Sequence, residues 1–568
     1  MSTLGYRLTC FVVSLDSEAA FPSVEREIQV RELFSVGERG DILLYSKNTY
    51  KNTECHMKVD DYLSRLVEEY KGNRQGHVRA SGHFKVYINP CLLSLKSSKL
   101  GFNLGPLCTT AVCVADDAYL LSDSPSGMQG ALDLISHYAK RYQLRFNAEK
   151  TKIVVTGSKL DMSFYKDTTP WTLNGEVVKV VDTNEHLGLL VSGAEEEQQN
   201  VDENIVKCRT SLFALLGPAY SYRCLLSPTV QIHLWRTCNL PRLLSGLAAL
   251  PIRPVNCHAL ETFQKKTLRG FLKLSKSSPT PALFFLLGEL PVEGHLHIRT
   301  LGLFHNIISN PDCTVYEIVK YILMMCSSNS TTWANHVQLL CMKYGLPSPL
   351  TLLQQTPVIS RKDWIILVKT KVTVWYEQEL RNCASANSKM RYLNVTVQGL
   401  SGQPHPALHH ILSTQDAKKL RLHLKFLTCD FYCNELLSLN QPAVSPACDL
   451  CSSPVDSLEH TLVTCVAMSD IRSRLYAELV NTVLQVQPTC RLLFEPPSPP
   501  VLTQFILDCT SLNLPDTVRI PAHNPGISKI YKISRDWCYA IGSERVRRLK
   551  QRKGLKSKTT RPAKFSNI

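Results

Sequence analysis

The residues best suited to do chemistry are two adjacent carboxylates, Asp116 and Asp117, in the stretch AVCVADDAYLLS (Ala111 to Ser122). Apolar runs flank them, Ala111 to Val114 before and Tyr119 to Leu121 after. The stretch therefore reads as strand, tight turn, strand, with the carboxylates at the tip. Adjacent carboxylates repel one another, and a divalent cation that prefers oxygen ligands relieves the repulsion. A solvated turn is the plain alternative, since Asp is common in turns. A third carboxylate, Asp16, ends the apolar run TCFVVSLD, a strand end from which a side chain can enter an active site. Its plain alternative is a helix-entry Asp.

A second set, Cys448, Cys451, His460 and Cys465, has the spacing C-x2-C-x8-H-x4-C. A C-x2-C turn offers two thiolates on a tight loop, and SLEHTLVTC supplies the second pair from a helix. The pattern predicts a structural Zn²⁺ closed by three Cys and one His. Clustered reduced thiols are the alternative in a chain of 21 cysteines, and Cys429 and Cys433 stand close enough to compete.

Positive charge is the third resource. The net charge is +16, and ten Lys or Arg with no acidic residue fall between Arg545 and Ile568. Arg547, Arg548, Lys550, Arg552 and Lys553 open that run, which reads as a flexible polycation for phosphate backbones or nuclear import, or as a solubilising end. Upstream, ETFQKKTLRGFLKL sets Lys265, Arg269 and Lys273 on one helical stripe with Lys266 beside it. Phe263, Leu268 and Leu272 lie opposite. Such a helix suits a charged grip on a duplex, or is a solvated face.

The elements that must position these groups follow from pattern. A helix is predicted from Ser23, burying Val24, Ile28, Val30, Leu33 and Phe34. Residues 36–72 read as a loop, an element Ile42 to Tyr45, and a helix or strand pair up to Tyr70. Gly72 and Gly76 bracket a tight turn around Asn73-Arg74-Gln75, and Phe84, Tyr87 and Ile88 follow at helical spacing. A Gly-flanked Gln at a helix start can lie flat against a base pair. Ser124-Pro125 is an N-cap and first-turn pair for a helix burying Met128, Ala131, Leu132, Ile135, Tyr138 and Ala139. FNAEKTK puts Lys150 and Lys152 before a strand, where they meet phosphates or simply face solvent. Asn174-Gly175 marks a two-residue hairpin, and Asn184 to Leu190 holds a further short strand. Ile205, Cys208, Leu212, Leu215 and Leu216 form one helical face, ended by Gly217. Glu495 to Pro500 reads as a stiff polyproline linker.

In this order the segments have the organisation of a polymerase palm, and residues 8–192 resemble the reverse transcriptases of non-LTR (LINE-type, jockey-like) retrotransposons. FVVSLDSEAAF is similar to their motif A, Arg74-Gln75-Gly76 to motif B, Val114-Ala115-Asp116-Asp117 to motif C, and FNAEKTK to motif D. His186-Leu187-Gly188 resembles the primer-grip element, usually Y-L-G. The resemblance implies an RNA-directed DNA polymerase using RNA template, DNA primer or target, and dNTP. It implies that Asp16, Asp116 and Asp117 hold two Mg²⁺, that Phe21 excludes a ribose 2′-OH, that Gln75 and Gly76 pack near the nascent pair, and that Lys150 faces the triphosphate. Family members also carry a C-terminal knuckle like the Cys/His set. Three features depart from the pattern: Val114 replaces an aromatic, Ala20-Phe21-Pro22 replaces Ala-Phe-Asp, and only fifteen residues precede Asp16 where a fingers region is expected. The expectation is an N-terminally truncated element or an incomplete gene model. An inactive remnant that binds RNA or DNA through thumb, knuckle and tail is the alternative, and a palm-type cyclase a weaker one.

The expected fold is α+β: an antiparallel palm sheet with helices over 1–195 (fingers missing), a helical thumb over 196–300, and a helical linker over 301–440. A CCHC zinc knuckle region over 441–475, a C-terminal segment with a Pro-rich linker over 476–544 and a basic tail over 545–568 complete it. At 44% hydrophobic and 20% charged residues the chain is globular. No apolar run reaches the ~18–20 residues that span a bilayer. An intracellular setting, nucleus or cytoplasm, with no membrane partner, is expected.

Overall fold

A computed structural model describes residues 9–74, 76–114, 117–157, 164–165, 171–186, 188–192, 195–220, 226–325, 332–355, 357–393, 395, 399–400, 402–439, 441, 443–494, 498–510 and 526–552. Two compact units emerge. One comprises Met1–Glu203, Ser245–Ile252 and Thr300–Arg361; the other comprises Asn204–Leu244, Arg253–Arg299 and Lys362–Ile568. This differs from the expected division. Residues 301–361 group with the palm, and the Cys/His region shares a unit with the helices before and after it.

The first unit is built on a five-stranded sheet. Its strands are β1 (Cys10–Leu15), β2 (Ala111–Val114), β3 (Asp117–Ser122), β4 (Lys152–Thr156) and β5 (Lys179–Val181). Their order is β5-β4-β1-β3-β2, antiparallel except for the β4–β5 pair. Strand periodicity divides the side chains between two faces. Phe11, Val13, Leu15, Ala118, Leu120, Ile153 and Val155 face a core completed by α3 (Ala80–Ser98) and α4 (Pro125–Tyr142). Those helices bury Phe84, Tyr87 and Ile88, and Met128, Ala131, Leu132, Ile135, Tyr138 and Ala139, as their spacing predicts. Ser124 caps α4 by accepting the Gly127 N–H at 3.1 Å, with Pro125 at the first helical position. The tyrosines close the core with their hydroxyls satisfied: Tyr87 donates to Tyr142 O, Tyr138 to Tyr87 O, and Tyr142 to Glu32 Oε1 at 2.9 Å.

Between β1 and α3 run α1 (Ala20–Ser23) and α2 (Arg26–Ser35). The helix predicted from Ser23 thus starts three residues later, after a break at Val24 and Glu25. Val24 and Leu33 are buried, but Phe34 is 50% exposed, and Gln29 and Glu32 take inward positions. Glu32 can be inward because Tyr142 donates to it. Ile42 to Tyr45 belong to a helix, Gly40–Asn48, and Thr53–Cys55 pairs with Val67–Glu69 around a smaller pair, Lys58–Val59 with Tyr62–Leu63. Asn174-Gly175 forms the expected hairpin, with φ of 55° and 86°. Thr183–His186 and Leu189–Ser192 form a second one.

The second unit is helical. The helix Glu196–Tyr220 enters it and runs through Gly217, which therefore does not end it. Its main elements are α5 (Pro254–Leu272), α6 (Thr414–Leu427), α7 (Ser469–Val486), α8 (Pro499–Leu507) and α9 (Ile527–Arg552). The expected polyproline linker falls partly outside the described residues (495–497). Its described end is not a linker: Pro499 and Pro500 start α8, which buries Leu502, Phe505, Ile506 and Leu507. Proline suits a first helical turn, where its missing N–H costs nothing. Likewise Arg545 to Arg552 are the last turns of α9 rather than a flexible tail, and residues 553–568 lie outside the described set. Among the described residues no helix is long and apolar enough to cross a membrane.

Candidate active site

The register of the sheet places two of the predicted carboxylates at the same end of neighbouring strands. Leu15 pairs with Ala118 and Ser14 with Tyr119. That ladder ends at Leu15 and Ala118, so Asp16, which follows Leu15 in the chain, and Asp117, the first residue of β3, both adjoin its last pair. Asp117 is also the partner of Val114 where β2 turns into β3. Asp116 and Ala115 lie outside the described residues, so the third carboxylate is not placed.

The loop before β4 grips Asp16 from the other side. The Asp16 N–H donates to Thr151 Oγ1 at 3.3 Å, and its carbonyl accepts from Asn147 N–H at 2.9 Å. Asn147 Oδ1 accepts from Lys150 N–H at 3.0 Å, which shapes the turn. Lys150 Nζ then stands 3.9 Å from Asp16 Oδ2, with the side chains 69% and 42% exposed. An ion pair this open is worth under about 1 kcal/mol to stability. What the turn achieves is placement: an ammonium beside a carboxylate, both free to meet a ligand.

Two further residues on this face had no sequence signal. Tyr119, opposite Ser14, has its hydroxyl pushed up to about 12, mainly by burial, with Glu196 and then Asp117 adding to it. Burial also raises the Glu196 carboxyl. Glu196 opens the helix Glu196–Tyr220. Asn184 donates to Ser14 Oγ and ties the 183–192 hairpin to β1.

Phe21 follows Asp16 in α1 and stacks on Phe84, with centroids 5.1 Å apart and planes at 18°. Its carbonyl accepts from Asn73 N–H at 2.8 Å, and Val24 O accepts from Gly72 N–H at 2.8 Å. The glycine turn is thus stitched to the segment that follows Asp16. Gly72 has φ +92°, and a Cβ there would stand 2.8 Å from Pro22 O and 2.9 Å from Pro22 Cα. Gly76 has φ +85° with open space around it, and Gln75 lies outside the described residues. Arg26, unremarked in the sequence, holds the turn from below. It donates to Gly72 O at 3.1 Å, Lys71 O at 3.0 Å, Tyr50 O at 2.8 Å and Thr53 Oγ1 at 2.9 Å, as well as to Glu69 O.

The basic residues are less free than their spacing suggests. Lys265 pairs with Glu261 at 2.6 Å, one turn back on α5. Arg269 donates to Ser278 O at 3.4 Å and Thr280 Oγ1 at 3.2 Å, and Lys273 has left the helix as its left-handed C-cap. The three therefore do not form one stripe of a single helix. Of the C-terminal set, Arg547 pairs with Glu544, Arg548 donates to Ala467 O and Glu544, and Arg552 donates to Asp449 O and Leu450 O. Lys550 is among the described residues; Lys553 is not.

Cys448, Cys451, His460 and Cys465 converge, with one ligand atom from each lying within 4.8 Å of all the others. Cys451 Sγ is 3.3 Å from His460 Nε2 and 3.7 Å from Cys465 Sγ. His460 Nδ1 faces Thr464 Oγ1 at 3.2 Å, which leaves Nε2 turned to the thiols. The donor set, three sulfurs and one imidazole nitrogen around a point, is compatible with zinc. Cys429 and Cys433 are buried outside this group, which is the one such cluster among the described residues.

Comparison with known proteins agrees with the geometry. Residues 6–190 match the family described as reverse transcriptase (RNA-dependent DNA polymerase). A Drosophila melanogaster Pol polyprotein from the type-2 retrotransposable element R2DM is 26% identical over 25% of this chain and 13% of its own length. The Xenopus laevis transposon TX1 149 kDa protein is 24% identical over 39% of this chain and 16% of its own. A Nasonia vitripennis Pol polyprotein from the type-1 element R2 is 22% identical over 47% and 26%. The chain thus spans about a quarter or less of the length of these relatives. A solved telomerase from Candida albicans aligns over 57% of this chain and 52% of its own at 11% identity, with a TM-score of 0.24, too loose to bear on the fold. Residues 6–190 are thus similar to reverse transcriptase domains, and the relatives matched are proteins of retrotransposable elements and a transposon.

Proposed function

We propose that the chain is an RNA-directed DNA polymerase of a non-LTR retroelement, extending a primer 3′-OH with dNTP on an RNA template. The observation that supports this is the position of Asp16 and Asp117 beside the last pair, Leu15 and Ala118, of two neighbouring antiparallel strands, with Lys150 next to Asp16. Asp16, Asp116 and Asp117 would hold the metal ions. Two bound Mg²⁺ would supply activation of the attacking hydroxyl and neutralisation of the departing pyrophosphate. Lys150 would meet the triphosphate, where its charge offsets that of the phosphate oxygens. Phe21, fixed against Phe84, would crowd the sugar 2′ position. Gln75 and Gly76, which follow in sequence the Gly72–Asn73 segment stitched to α1, would lie against the nascent base pair. The Cys/His cluster would hold one structural Zn²⁺. Lys265, Arg269, Lys273 and the residues from Arg547 to Lys553 would contribute charge toward nucleic acid, with work in nucleus or cytoplasm. Primer extension on an RNA template with Mg²⁺ tests the reading by comparing wild type with Asp116→Ala. Loss of extension in the variant is expected. Equal extension, or none in either, overturns it; salt-sensitive RNA retention without extension would instead support a binding remnant.

A further inference from the structure

The last helix, α9, reaches the Cys/His cluster at successive turns. Trp537 Nε1 donates to Leu462 O at 3.2 Å, and Arg548 donates to Ala467 O, two residues after Cys465. Arg552 donates to Asp449 O and, at 3.2 Å, to Leu450 O, the two residues inside the C-x2-C turn. Between them lies Arg545, only 1% exposed. It pairs with Asp456, 0% exposed, and its Nη1 stands 3.9 Å from Cys448 Sγ. Asp456 in turn accepts from Asn434 N–H at 2.9 Å and Thr461 Oγ1 at 3.4 Å.

A buried ion pair is a poor source of stability, because both charges lose water. Three thiolates and one divalent cation leave a net charge of −1, however, and a guanidinium N–H aimed at a thiolate answers that charge. We propose that α9 is part of the metal centre: Arg545 is a positioning residue for the Cys448 thiolate, and metal loading and seating of α9 are one cooperative event. This rests on the zinc reading above. It recasts the basic end of α9. With metal bound, Arg545, Arg548 and Arg552 are occupied by protein; without it, the helix is released and its cations are open to solvent.

The test uses the full chain, with zinc content, zinc transfer to a colorimetric chelator, and the thiolate-to-metal band of the cobalt-substituted protein. Arg545→Met is expected to bind zinc roughly tenfold to a hundredfold more weakly, with Arg545→Lys intermediate. Trypsin is expected to cut at Arg547, Arg548 and Lys550 in the chelated chain and to spare them in the zinc-bound one. If Arg545→Met does not fold, Arg552→Ala replaces it, with faster zinc release expected. Stoichiometric zinc whose affinity and cobalt band are the same in wild type and variant overturns the proposal while leaving the zinc reading intact. So does tryptic protection that survives removal of zinc. A wild type that takes up no zinc overturns both.

Discussion

Gly72→Ala tests how the glycine turn is fixed. Two costs act on this position. An L-residue at φ +92° is strained by roughly 1 kcal/mol. The new Cβ would also lie 2.8 Å from Pro22 O and 2.9 Å from Pro22 Cα, both backbone atoms that cannot rotate away. Relieving that overlap means moving the turn off α1, which stretches the Gly72 N–H bond to Val24 O and the Arg26 bond to Gly72 O. Overpacking of this kind costs about 1–3 kcal/mol. Together the loss is about 2–4 kcal/mol, or a melting shift of roughly 5–10 °C for a unit of this size. Gly37→Ala is the control, because Gly37 has φ +101° with nothing within 4 Å of a Cβ, so only the strain applies. Differential scanning calorimetry of the two variants separates the costs. Identical melting shifts would refute the overlap, and with it the stitched turn. If the turn also carries Gln75 and Gly76 to the nucleotide, the Gly72 variant raises the KM for dNTP more than the Gly37 variant does.

Lys150→Ala is expected to lower kcat/KM for dNTP roughly tenfold to a hundredfold while leaving the melting temperature within about 1 °C, since its ion pair with Asp16 is open to solvent; a large melting shift with unchanged kinetics would contradict the assigned role. His423 is fully buried and donates from Nε2 to Leu507 O at 2.9 Å, and burial, with Arg535 adding to it, lowers its pKa from 6.5 to about 4. The unfolded chain therefore binds a proton that the folded one refuses between those values, so stability is full above pH 6.5 and falls by up to about 3 kcal/mol as the pH drops toward 4. Urea midpoints at pH 7 and pH 4.5 measure this, and a His423→Leu variant with the same pH slope would rule His423 out as its source. Cys448→Ser combined with Cys451→Ser is expected to abolish bound zinc, and zinc that persists in this variant would reassign the ligands.

The parts of the site that the sequence revealed are those set by short-range rules. β1 ending just before Asp16, the Ser124-Pro125 start of α4, the Asn174-Gly175 hairpin and the C-x2-C turn each depend on a few adjacent residues. Arg26 was invisible because its partners lie 24 to 46 positions away. Glu32 and Phe34 were misjudged for a related reason: periodicity predicts a face, but Tyr142, more than a hundred residues on, decides that Glu32 is the one turned inward. The basic residues misled in the same way. Charge in a run of sequence does not announce that Glu261, Glu544, Ala467 O and Asp449 O will take it up.

The position of Asp16 and Asp117 at one end of the β1–β3 ladder has a consequence for how this chain can vary. Side chains along a strand alternate, so whether a carboxylate looks to solvent or into the core is a question of odd or even. One residue gained or lost between Val114 and Asp117, with β3 slipping by one position along β1, would turn Asp117 to the face of Phe11, Val13 and Leu15. Two residues gained there would preserve the parity. Length changes at the exposed tip near Asp60 and Asp61, by contrast, touch no such count. The lineage of this domain should therefore record insertions freely in the 58–63 tip and only in even steps, if at all, beside the aspartates.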